Sequence, residues 1–269
     1  MIHTSAIQAV FHKSLQISPE ESCLIVTDTV KEGLARPFYD YISGSGAPSK
    51  IIVMPPRARH GEEPACEAAA AMLEHDVQLL ITDKSISHTR ARREAKARGS
   101  RIASMPGITE DIINRCLDVD YARVKERSAK LLALLEIARR IQIITTLGTD
   151  IVIERGDMKI TDGDGGIFNY PGAFGNLPEG EVSIGPARAE GVFVIDASIP
   201  CFGKLDSPLT VEVEQGYAAA VKGKQAAQLR AVLDTVGRGA YRIAELGIGT
   251  HPAAVISGTV LEDEKVLGT

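Results

Sequence analysis

The chain has 269 residues, 44% of them hydrophobic and 24% charged, with a formal net charge of −5. That length exceeds the usual size of one compact domain and predicts two, while the composition excludes a disordered or collagen-like chain. The acidic balance gives no general attraction to phosphate backbones or anionic lipid, so neither nucleic acid nor a membrane is an expected partner.

From residue 1 to about 140, short β-branched or apolar runs alternate with helical patterns, as in a parallel sheet covered by helices. Strands are predicted at Cys23 to Thr27, Ile51 to Met54, Val77 to Thr82 and Arg101 to Ser104. Helices are predicted between them, at Glu32 to Ile42, Glu63 to Glu74 and Thr89 to Ala97. The fold class is therefore α/β, opening with a doubly wound parallel-sheet domain. Sheets of this kind bind ligands at the carboxyl ends of their strands, which here carry Thr27-Asp28-Thr29, Pro55-Pro56, Asp83 to His88 and Met105-Pro106-Gly107. The first of these loops reads TDTVKEG, without the G-x-G-x-x-G turn of a dinucleotide site, and there is no P-loop. The basic group Arg90, Arg92, Arg93, Lys96, Arg98 and Arg101 reads as the solvated face of a helix in preference to a phosphate patch.

One amphipathic helix is predicted over Asp120 to Ile141, with Leu131, Leu134, Leu135, Ala138 and Ile141 on its apolar side, and it links the domains. Beyond it the pattern changes to glycine-rich turns and alternating strands at Gln142 to Thr146, Thr149 to Glu154, Glu181 to Ile184, Val192 to Ala197 and Leu209 to Glu214. A helix at about Lys224 to Thr235 interrupts them. The domains are thus placed at 1–140 and 141–269. Cys23, Cys66, Cys116 and Cys201 lack disulfide-framework or zinc-finger spacing, with Cys23 a core residue. With no leader-like segment and no run near the roughly 18 apolar residues of a membrane span, a cytoplasmic location is expected.

Four segments, GTDIVI (148–153), FGNLPEGEV (174–182), AELGIGTHP (244–252) and LEDEKVLGT (261–269), together with SISHTRARREA (85–95), resemble the aminopeptidase T family of metallopeptidases. Its relatives include the 2,5-dihydroxypyridine dioxygenases. The resemblance implies that the second domain is a β-rich α+β metallopeptidase-like domain and that Glu181 and Glu245 are metal ligands. Carboxylates suit hard or borderline cations. Read from the residues alone, Glu181 is a solvated carboxylate at a strand start, whereas Glu245 interrupts the apolar run Ile243 to Ile248 and is costly to bury unpaired. Glu179 ranks second as a ligand. His88 reads as a helix-start residue, His251 as a turn residue, and Glu262, Asp263 and Glu264 as a solvated run with a supporting role left open.

The resemblance implies a metal-dependent aminopeptidase-like hydrolase acting on peptides, with two divalent ions (zinc, cobalt or manganese) per complete site, working as a homodimer. The alternatives are a non-haem iron ring-cleaving dioxygenase acting on a small molecule of the 2,5-dihydroxypyridine type, or an inactive homologue or fragment. In the family the segment equivalent to LEDEKVLGT continues into a histidine, a tyrosine and a His-x-Asp pair, so the metal site is expected to be incomplete in a chain that stops at Thr269. Serine and cysteine nucleophile schemes are disfavoured, since there is no G-x-S-x-G elbow and no suitable Cys and His pairing.

Overall fold

The computed structural model describes residues 1–157, 160–162, 164–200 and 202–269, with no account of the side chains at 161 and 162. Cys201 lies outside the described residues. The chain forms two compact units, neither of them continuous in sequence. The first comprises Met1–Glu126, Gly163–Gly180 and His251–Ala254; the second comprises Arg127–Asp162, Glu181–Thr250 and Val255–Thr269. A single boundary near residue 140 thus gives way to an interleaved division.

The first unit opens with α1 (Thr4–Gln8), which widens into a π-helical stretch at Ala9–Ser14. The alternation then runs β1 (Cys23–Asp28), α2 (Glu32–Gly44), β2 (Ser49–Met54), α3 (Cys66–Met72), β3 (Val77–Ile81), α4 (Arg90–Ala97), β4 (Arg101–Ser104) and α5 (Glu110–Cys116). Every residue of β1, β3 and β4 is buried, which is why they read as continuous apolar runs and not as alternating ones. Thr89 and Thr109 cap α4 and α5 by accepting from the amides of Arg92 and Ile112.

The helix α6 (Tyr121–Ile137) ends four residues before its predicted limit. Ile141 belongs instead to β5 (Arg140–Ile144), where it and Ile143 follow a period of two, one that a window tuned to 3.6 residues absorbs into the helix. The strands β6 (Asp150–Glu154) and β7 (Ile160–Asp162) follow, and β8 (Phe174–Asn176) then joins the first unit's sheet beside β4. That sheet is parallel, in the order β2-β1-β3-β4-β8. At its switch point, between β1 and β3, the buried carboxylate of Asp28 accepts from the amides of Val30 (3.0 Å), Lys31 (3.0 Å) and Asp83 (2.7 Å). The crevice in which doubly wound folds commonly hold a ligand is therefore stitched by the chain's own carboxylate.

The rest of the second unit is β9 (Glu181–Ile184), β10 (Arg188–Ile195), β11 (Ser198–Ile199), β12 (Gly203–Lys204), β13 (Leu209–Glu214), β14 (Tyr217–Lys222), α7 (Ala226–Val236), β15 (Leu246–Gly249) and α8 (Val260–Asp263). An antiparallel sheet runs β14-β13-β10-β6-β5, and a smaller one runs β15-β9-β7. Ile151, Ile153, Leu209, Val211, Val213 and Val221 fill one core. Leu131, Leu132 and Leu135 of α6 pack with Val182 and Ile184 in another. No helix among the described residues is long and apolar enough to cross a membrane.

Candidate functional site

Between the two sheets' elements the second unit holds a cleft of about 810 Å³. Its walls are largely apolar, with Ile143 and Ile151 from the large sheet, Phe193 from β10 and Leu246 from β15. Set into them are Glu181, Asp196, Glu245, Asp263 and Glu264, and among the described residues no lysine or arginine lines the cleft. Volume and lining fall in the range of small-molecule sites, apolar with a few polar groups.

Glu181 enters this wall because β9 starts with it. In the antiparallel pairing of β9 with β15, Glu181 faces Gly249 and Ser183 faces Gly247. Its carboxylate lies over Gly247, where a β-carbon would overlap Oε1. The other oxygen, Oε2, accepts from Nζ of Lys265 at 2.6 Å, and the same ammonium donates to Oε1 of Glu264 at 2.8 Å. Burial pushes the Glu181 carboxyl above its ordinary range, the Lys265 ammonium pulls it down, and Glu264 and Glu245 push it up again.

Glu245 stands just before β15 and is exposed, so the apolar run around it is that of a strand whose preceding residue faces water. It makes no hydrogen bond or ion pair with the described residues and acts on Glu181 through its charge. The structure thus brings both predicted carboxylates to one cleft, but in a different relation from the one expected. Glu181 is the half-buried, paired group and Glu245 the open one.

The acidic run that reads as solvated is largely buried. Glu262 is fully enclosed and accepts from the amide of Val255 at 2.8 Å. Asp263 receives the amides of Ser257 (2.7 Å) and Gly258 (3.0 Å) and the hydroxyl of Ser198. Lys265, absent from the predicted site, is the residue that sequence reasoning missed. Its signal was the lone cation in the EDEK string, which only a buried setting turns into a pairing group.

The remaining predicted residues lie in the first unit. Glu179 is buried, its Oε1 accepting from the amide of Gly180 at 3.1 Å. His251 is buried too, with Nε2 3.1 Å from the carbonyl of Cys116 and Nδ1 accepting from the amide of Ala253. Both ring nitrogens are thus committed within the unit. His88 is exposed ahead of the Thr89 cap. The basic group is not one solvated face: Arg92 is buried with its guanidinium 4.1 Å from the centre of the Phe174 ring, and Arg101 pairs with Glu21. Among the described residues no group of three or more His, Cys, Asp or Glu side chains is placed to hold a metal ion.

A model of the 2,5-dihydroxypyridine 5,6-dioxygenase family matches residues 13–268. The solved structure of 2,5-dihydroxypyridine dioxygenase from Pseudomonas putida KT2440 is similar with a TM-score of 0.77 at 18% identity, covering 95% of this chain and 78% of that one. Wild-type AmpT from Thermus thermophilus is similar with a TM-score of 0.63, also at 18% identity, covering 98% of this chain and 84% of that one. At such identities these two likenesses are of fold. Comparison of the sequence with curated proteins gives no match.

Proposed function

The chain belongs to the 2,5-dihydroxypyridine 5,6-dioxygenase family, and from that membership we propose that it is an oxygenase that opens a dihydroxylated pyridine ring, with the cleft of the second unit as the place where the ring binds. The observation that carries this reading is the span of the family match, residues 13–268, which includes every strand and helix of the second unit, where the cleft lies. The family match backs the ring-cleaving alternative better than the peptidase reading, whose support is a likeness of fold to AmpT.

The cleft suits a small aromatic ring better than a peptide chain. Phe193, Ile143, Ile151 and Leu246 offer apolar surface to the faces of a ring. The open carboxylate of Glu245 and that of Asp196 are acceptors for ring hydroxyl or ring N–H donors, and hydrogen bonds of this kind to an ionised acceptor are the stronger ones. The family implies a non-haem iron held by two histidines and a carboxylate. No histidine lines the cleft and no donor trio is assembled among the described residues, so these residues do not fit such a centre and no step is routed through it.

The test is oxygen uptake by the full chain with ferrous iron and 2,5-dihydroxypyridine, followed together with loss of the ring's ultraviolet absorbance. Uptake coupled one-to-one to ring loss is expected. Metal-dependent release of amino acids from Leu-, Phe- or Arg-aminoacyl substrates with no oxygen uptake would return the assignment to the peptidase class.

A further inference from the structure

The resemblance to the aminopeptidase T family implies a metal beside Glu181, and the chain places a cation of its own there. The side chain of Lys265 is only 4% exposed, and its ammonium sits 2.6 Å from Glu181 and 2.8 Å from Glu264. The second oxygen of Glu181 is turned onto the backbone of Gly247 with no space for a β-carbon between them. The carboxylate is thus paired at one oxygen and packed at the other, with its side chain 16% exposed. A divalent ion bound to it would stand next to a buried ammonium, and two cations at that separation repel strongly where the dielectric is low.

The lysine is held in place by its own segment. The amide of Gly249 donates to the carbonyl of Thr269 at 2.9 Å, and the amide of Gly268 returns a bond to the carbonyl of Gly249 at 3.0 Å. A β-carbon at residue 249 would overlap the carbonyl of Val266, so the turn after α8 lies directly on β15. Glu262 and Asp263 gather the amides of Val255, Ser257 and Gly258 around the same turn. Lys265 thus projects from a turn fixed on both sides, and its pairing with Glu181 costs little further ordering.

We propose that Lys265 is the resident cation behind the cleft wall: its ammonium takes the position beside Glu181 that the aminopeptidase T resemblance implies for a divalent metal, and makes Glu181 a lysine-paired carboxylate that shapes the wall. Lys265 is a positioning residue, acting on the cleft through Glu181. The inference rests on the proposed function only for the importance of the cleft, and its readout is metal binding, not turnover.

The experiment is a Mn²⁺ titration of the full chain, monitored by the signal of the free ion. The native chain binds at this site no more tightly than about 1 mM, and Lys265→Met tightens binding by about tenfold or more, because removing a fixed positive charge raises the net negative charge offered to the ion. The double variant Glu181→Gln/Lys265→Met loses that gain. Lys265→Gln, which keeps two N–H donors for the carboxylates, shows the same gain and serves if the methionine variant does not fold. The proposal is overturned if the folded Lys265 variants bind no better than the native chain. It is equally overturned if the native chain binds Mn²⁺ at micromolar concentration and Glu181→Gln abolishes this. Oxygen uptake enters neither outcome, so an enzyme inactive on 2,5-dihydroxypyridine can still pass and an active one can still fail.

Discussion

Glu181 lies across the backbone of Gly247, its Oε1 filling the space that a β-carbon at residue 247 would need. Gly247→Ala therefore pushes the carboxylate off Lys265 or shifts β15, and is expected to lower the unfolding free energy by about 1–3 kcal/mol, as overpacking does. Gly33→Ala is the control, since nothing lies within 4 Å of a β-carbon there and the residue is in α2. It should raise stability by about 0.4–1 kcal/mol. Urea midpoints measure both, and equal shifts of the same sign would contradict the close approach.

The two carboxylates of the cleft should separate on neutralisation. Glu181→Gln removes an anionic partner of a buried ammonium and is expected to cost about 1–3 kcal/mol. Glu245→Gln alters an exposed group without hydrogen-bond partners among the described residues, and stability should stay within about 0.5 kcal/mol of the parent. Under the proposed function its effect falls on the KM for the ring. A Glu245 variant as unstable as the Glu181 variant would show the roles to be misassigned.

Acid should weaken the first unit through Glu21. The hydrogen bonds from the Arg101 guanidinium, against the opposing effect of burial, hold its carboxyl down to about 2 from an ordinary 4.5. A carboxyl lowered by folding stabilises the fold above its unfolded value, and that stabilisation is lost as the pH falls from about 4.5 towards 2. The side chain is a quarter exposed, so solvent screening brings the contribution to about 1–3 kcal/mol. Comparing Glu21→Gln with the native chain at pH 6 and at pH 3 checks this: the gap between them should narrow at the lower pH. A constant gap would contradict it.

Thiol chemistry should sort the described cysteines by burial. Burial pushes the Cys23 thiol up to about 12, while Cys66 is exposed at the start of α3. Since the thiolate is the reactive form, iodoacetamide at pH 8 is expected to label Cys66 and to spare Cys23 and Cys116 until denaturant is added. Peptide mass mapping reads the sites, and native-state labelling of Cys23 would count against its place in β1.

The alternation of the first unit was legible because β1, β3 and β4 are buried throughout and so carry unbroken apolar runs, and because their helices are capped or broken at readable residues such as Thr89. The strand β8 was not, for its three residues Phe174–Asn176 carry no periodicity and owe their pairing to β4, some seventy positions earlier. In the second unit β9 and β13 were read with their observed limits, since both begin after turn residues and β13 alternates cleanly between buried and half-buried positions. The cleft was legible only in part. Glu181 and Glu245 were picked out, but their relative burial depends on where β15 begins, and the partner of Glu181 comes from a segment 84 residues away.

The interleaving of the two units bears on the order in which the protein can be made. The chain passes from one unit to the other after residues 126, 162, 180, 250 and 254. When the first 140 residues have left the ribosome, β4 is still without its neighbour β8, and its row of main-chain donors and acceptors is bare on that side. His251, whose ring joins the carbonyl of Cys116 to the amide of Ala253, arrives more than a hundred residues later. The amino-terminal unit therefore cannot finish before most of the other has been synthesised. Both must wait on the nascent chain together, and until β8 arrives the edge of β4 is open to pairing with other chains.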